Sequence, residues 1–284
     1  MLFDPNTPYA SDILISNLFN NIMRDDDINM NAHYPYKANT ECNQEVLEEC
    51  YRITWQLLAR RSKIKEFRRI LMKIALRRKA LFEEQEFYKE IRAQFKHMRF
   101  GCCNFDRRHT YPWQLHFVTC QMGFLQDAFR NGQHFKTFRK ALLLWSVLHP
   151  LLFRLVLKRL ADFKPATPEE FKNFQKNELN KIIDVLNFDQ KVTGHQFHSL
   201  RKIISRRTAY VDTLRVIRKD KELDALSTFL ATINGLMGDM HDEIVLNDIR
   251  GDSDYYKEQF SLPNEIKLRL TVLVESESLT QKTV

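Results

Sequence analysis

Residues 44–100 read QEVLEECYRITWQLLARRSKIKEFRRILMKIALRRKALFEEQEFYKEIRAQFKHMRF, and hold neither proline nor glycine. Within them Ile64, Phe67, Leu71, Ile74 and Phe82 recur at helical spacing along one side. Arg61, Lys65, Arg68, Arg69 and Lys73 fall along the opposite side. That is the signature of amphipathic helix. The stretch is too long for one ordinary helix, so at least two are expected.

The pattern extends outward. Only 7 glycines and 8 prolines punctuate 284 residues, which is scarce turn material for a sheet protein of this size. The expectation is an all-α helical bundle. Residues 10–23 form a short helix and the rest of 1–45 an extension rich in asparagine and aspartate. Gly101 to Trp113 reads as a loop, followed by helices over 114–130 and 135–149, with Pro150 ending or kinking the second. The most apolar region, 141–157, is broken by His149, Pro150 and Arg154 and falls short of the ~20 apolar residues of a span. It reads as a buried helix pair, with no membrane span.

Lys164 to Pro168 (KPATP) is the linker candidate. Thr167 is an N-cap, with Pro168 at the first helical position and Glu170 completing a capping box. Helices follow over 168–186, 196–219 and 223–248. The chain thus divides into an extension (1–45), a first helical half (46–163), a second (168–250) and a polar, acidic tail (251–284) that reads as frayed. Leu268–Val274 carries only a hint of strand.

The formal charge is +8, with an isoelectric point near 9.2, which favours an anionic partner. The plainer reading of the same charge is solvation of helix surfaces. The five cysteines are odd in number and show no C-x-x-C pair, and Cys102 and Cys103 are adjacent, so reduced thiols in the cytoplasm are the simplest account. Asp4 and Pro5 stand where a signal peptide needs a basic and then an apolar segment.

On the helix after Gly194, His198, Arg201, Lys202 and Ser205 are spaced i, i+3, i+4, i+7 and share a face, with Arg206 at its edge. Leu200, Ile203, Ile204, Val211 and Leu214 take the other side. No Asp or Glu interrupts the sequence from His198 to Thr208. Arginine, lysine and histidine so clustered can contact successive phosphates by charge-assisted hydrogen bonds. Arg68, Arg69 and Lys73 make a natural second wall. Arg78 and Arg207 fall among apolar positions, where a buried guanidinium needs a partner or a ligand.

Residues 188–248 include FDQKVTGHQFHSLRKIISRRTAYVDTLRVI and, further on, LSTFLATINGLMGDMHDEIVLND. His198 with Leu200, Arg201 and Lys202, then Ile233, Leu236, Met237, Gly238, Asp239 and Asp242 in register, resemble the second half of the CHAD family, the conserved-histidine α-helical domain. Ser205 and Thr208 depart from it where basic residues are usual. A first-half copy is visible only as Leu71, Ile74, Ala75, Arg78 and Leu81, with Glu49 and Arg52 where a histidine would stand. The resemblance implies two pseudo-symmetric helical halves around a basic channel that binds inorganic polyphosphate or a similar polyanion, with no chemistry of its own.

Other chemistry finds little footing. No phosphate-binding glycine loop, dinucleotide fingerprint or nucleophile elbow occurs. His195 and His198 lack a third metal ligand. His241 and Asp242, with His198 and Asp248, would be the set of a metal-dependent phosphohydrolase. No cofactor is expected. The alternatives to a polyanion binder are a helical protein-interaction module and that hydrolase. An RNA ligand stays open, although Phe67, Phe82, Phe197 and Tyr210 lie on apolar faces rather than forming a stacking platform.

Overall fold

The computed structural model describes residues 10–187 and 191–282. Asp4, Pro5 and the first three residues of the stretch resembling CHAD lie outside them. Eleven helices and one pair of two-residue strands are present among the described residues, so the fold is all-α. The chain forms two compact units: residues 10–23 with 44–166, and 24–43 with 167–282.

The first unit holds α1 (Asp12–Ile22), α2 (Gln44–Arg61), α3 (Ile64–Arg77), α4 (Phe82–Phe105), α5 (Trp113–Arg130), α6 (His134–Val147) and α7 (Pro150–Leu160). Three helices therefore occupy 44–105. The breaks fall at Lys63 and Arg78, both left-handed (φ 40° and 58°) although neither is glycine. Such a conformation costs an ordinary side chain about 1–2 kcal/mol, so tertiary packing must impose it. Ile64, Phe67, Leu71 and Ile74 are buried as the periodicity implies, whereas Phe82, the first residue of α4, is 77% exposed because it lies beyond the second break.

Gly101 starts no loop. It is buried in α4, and a Cβ there would stand 2.8 Å from Cγ2 of Thr54 on α2. The glycine serves close helix approach, and the loop begins five residues later. There the Asp106 carboxylate accepts from Arg108 Nε (2.7 Å) and Nη2 (2.6 Å), and the backbone pairs with residues 164–166. The core of this unit includes buried aromatic rings: Tyr51 stacks on Phe163 with ring centroids 3.6 Å apart and donates its hydroxyl to Leu160 O (2.7 Å). Pro150 begins α7, which bends 67° from α6. No single described helix is long and apolar enough to cross a membrane. The expected buried pair is half wrong, because α7 buries Phe153 and Leu160 but turns Leu151, Leu152 and Leu155 outward.

The second unit holds α8 (Pro168–Asn187), β1 (Val192–Thr193), α9 (Gly194–Ile217), α10 (Lys221–Arg250), β2 (Gln259–Phe260) and α11 (Asn264–Lys282), with β1 antiparallel to β2. Thr167 and Glu170 form the expected capping box, with bonds of 3.2 and 2.9 Å. The frayed tail is instead mostly helix. Ile266, Leu270 and Leu273 of α11 are buried, and Arg269 donates to the carbonyls of Met30 and Ala32 and to Glu265. Helical spacing is hidden there by alternating Leu268–Leu270, Val272 and Val274, which mimic a strand.

α9 and α10 form a hairpin with a polar seam. Ser205 donates to Asn234 Oδ1, whose amide donates to Asp25 O; Ser227 and Arg215 donate to Asp212 Oδ1 (2.7 and 3.2 Å). The backbone at Asp26 lies on α10, where a Cβ on Gly235 would collide with Asp26 O. Gly235→Ala should therefore lower stability by about 1–3 kcal/mol in a urea titration.

Asp212 gives a second expectation. Burial raises its carboxyl, against Arg215 and Ser227, to about 6. The folded protein then holds a proton that the unfolded chain releases near 4, so stability falls as pH rises from about 4 to about 6, by up to roughly 3 kcal/mol. Asp212→Asn should flatten that slope in denaturation curves taken across this window.

Candidate functional site

The basic residues singled out by sequence divide between the units, and their surroundings differ. α9 opens on a capping box of Thr193 and Gln196. Gly194 is required there because a Cβ would strike the Tyr255 ring. One turn on, His198 stacks on His241 of α10 with ring centroids 4.5 Å apart, and His241 Nε2 lies 3.1 Å from the Tyr255 hydroxyl. Burial first, then Tyr256 and Asp248, push that hydroxyl up to about 12, against the lowering charge of Arg201. Arg201 runs over Gly238, where a Cβ would come within 2.8 Å of Nη2. The glycine of the family-like signature thus makes room for an arginine of the other helix.

Further along α9 the cations meet carboxylates from distant helices. Arg206 pairs with Glu178 of α8, which also accepts from Lys181 (2.7 Å). Burial raises Glu178, but the Arg206 charge and hydrogen bonds from Lys181 and Arg206 outweigh it and leave its carboxyl below the ordinary value. Arg207 donates through Nε to Glu277 Oε1 (2.7 Å) and through Nη1 to Gln175 (3.2 Å). Burial pulls its guanidinium down to about 10, against Tyr34, Tyr210 and Glu178, so it stays charged at neutral pH. It borders a cavity of about 290 Å3 lined also by Tyr34, Cys42, Phe171, Lys172 and Tyr210. Ser205, expected on the open face, is buried. Lys202 is half-buried, and the expected continuous phosphate-facing side of α9 is reduced accordingly.

α3 in the first unit is different. Its apolar face is sealed, and Lys65, Arg69 and Lys73 stand exposed at i, i+4 and i+8, one per turn and ~6 Å apart along the axis. Among the described residues no carboxylate pairs with any of the three. Arg68 is held beside them, its guanidinium 4.5 Å from the Trp145 ring of α6 and its Nε donating to Trp145 O (2.9 Å). Arg78, expected among apolar neighbours, is exposed because α3 ends at it, and its guanidinium faces the Phe138 ring. A basic stripe is legible in the sequence of both helices; only the fold separates them.

The other candidates do not assemble. His241 and Asp242 are 3.8 Å apart, and Asp248 accepts from the Tyr255 backbone, yet no group of three or more His, Cys, Asp or Glu able to hold a metal gathers among the described residues. The cavity beside Arg207 had one signal in the sequence, an arginine at an apolar position. No family model, curated protein or solved structure matches the chain.

These surroundings separate structural from exposed cations. Glu277→Ala leaves Arg207 buried without its carboxylate and should cost about 3–5 kcal/mol in a chemical denaturation curve. Arg69→Ala should stay within about 0.5 kcal/mol of the unaltered protein in the same measurement.

Proposed function

We propose that the chain is a non-enzymatic binding module for a phosphate-rich polyanion, with inorganic polyphosphate as the reference ligand and the outward stripe of α3 as the contact surface. The observation that carries this reading is the run Lys65, Arg69, Lys73: exposed, in line, and unmatched by any carboxylate among the described residues. An extended anionic chain laid along α3 meets one cation per turn. Arg68, oriented by Trp145, lies beside the stripe. Ligand binding of this kind is multidentate charge-assisted hydrogen bonding without turnover. The resemblance to CHAD supports the same ligand class, and we add His198, Arg201 and Lys202 to the proposal as a secondary contact on α9. Arg206 and Arg207 are assigned to structure. Five cysteines outside any disulfide fit a cytoplasmic setting.

The test is binding of long-chain polyphosphate, RNA and heparin at equal charge across a salt series. Three phosphate contacts predict a log–log salt slope of roughly −2 on a single-stranded polyanion. Replacing Lys65, Arg69 and Lys73 together by glutamine should weaken polyphosphate binding at least about tenfold and flatten the slope, without moving the thermal midpoint. Equal binding of all three polyanions would leave only unspecific charge, and unchanged binding by the triple variant would remove α3 from the site.

A further inference from the structure

α7 presents a second surface, distinct from the α3 stripe. Its inward side is occupied by Phe153 and Leu160, and the carbonyl of Leu157 accepts from Trp55 Nε1 (3.1 Å). Its outward side carries Leu151 and Leu155, 62% and 63% exposed and stacked at i, i+4. Lys158 follows on the same line, with Arg154 on one flank and Arg159 and Leu152 on the other. Beside this face stands Trp113, 67% exposed at the start of α5. Gln114 links the two: with its amide turned to satisfy both donors, its oxygen accepts from Trp113 Nε1 (3.2 Å) and Arg159 Nη1 (3.3 Å).

The charge along α6 and α7 themselves is of one sign. Residues 128–161 contain seven Lys and Arg and not one Asp or Glu. We propose that the outward face of α7, with Trp113 beside it, docks on the surface of an anionic phospholipid membrane. Leucines supply apolar area at the headgroup boundary, the flanking cations meet lipid phosphates, and a tryptophan with an apolar ring and one N–H donor suits the same boundary. At 11 residues α7 is ~16 Å long, too short to span a bilayer but long enough to lie in its surface. A second copy of the chain is a poor occupant, because a two-fold contact would set Arg154, Lys158 and Arg159 against themselves.

The experiment is co-sedimentation of the full chain with vesicles of phosphatidylcholine alone and of phosphatidylcholine with phosphatidylserine, with tryptophan emission recorded in parallel. The expected result is adsorption to the anionic vesicles, with a blue shift that Trp113→Phe removes. Leu151→Glu combined with Leu155→Glu should lower partitioning at least about tenfold, because apolar contact is lost and two carboxylates are added. Each of Arg154→Gln and Lys158→Gln should lower it about fivefold on anionic vesicles. Both leucines are solvent-exposed, so the thermal midpoint should hold and certify the fold. The Lys65, Arg69 and Lys73 glutamine variant should keep the Trp113 blue shift whatever becomes of polyphosphate binding, so the two readings fail separately. Adsorption unchanged in the double leucine variant overturns the proposal. So does a dimer in solution that this variant splits, with no lipid binding by the unaltered chain.

Discussion

A cation buried in a protein must be met by a carboxylate or a carbonyl, and this requirement governs how the chain distributes its charge. In the second unit Arg206 takes Glu178, Arg207 takes Glu277 and Arg215 takes Asp212. Arg269 meets Glu265 and two backbone carbonyls. In the first unit the roles reverse, and the buried Asp106 carboxylate is met by an exposed Arg108. The Arg206–Glu178 and Arg207–Glu277 pairs offset desolvation of the guanidinium and each joins two helices. Acidic residues engaged in this way do not oppose the surface, and the excess of Lys and Arg is left on α3, α6 and α7.

That distribution gives the first unit two surfaces of different chemistry. The α3 stripe sets Lys65, Arg69 and Lys73 in line, with one exposed leucine, Leu76, past its end, and so suits a flexible chain of phosphates. The α7 face interleaves leucine with cation, and so suits an interface that is apolar on one side and anionic on the other. Net charge alone describes both surfaces identically. Their difference lies in which apolar residues remain outside after packing.

The second unit uses its polar residues for specification. Ser205, Asn234 and the carbonyl of Asp25 form a connected chain, and Asp212 gathers Ser227 and Arg215. Gly235 admits the backbone at Asp26, and Gly238 admits Arg201. A hairpin of two long helices could slide along itself, but these pairs and notches have partners in one register only.

The sequence by itself determined the helical class, the capping box at Thr167, the inward faces of α3 and α9, and the presence of basic stripes on both. All of these follow from periodicity and side-chain–backbone bonds made within a few residues. Tertiary structure alone decided the left-handed stops at Lys63 and Arg78, the helical continuation through Gly101, the ordering of α11 and the outward turn of the α7 leucines. It also decided which cations are paired: Glu178 lies 28 residues from Arg206 and Glu277 lies 70 from Arg207. A helical face shows what its own residues present, while the partners that neutralise or cover it arrive from elements whose positions only the folded core sets.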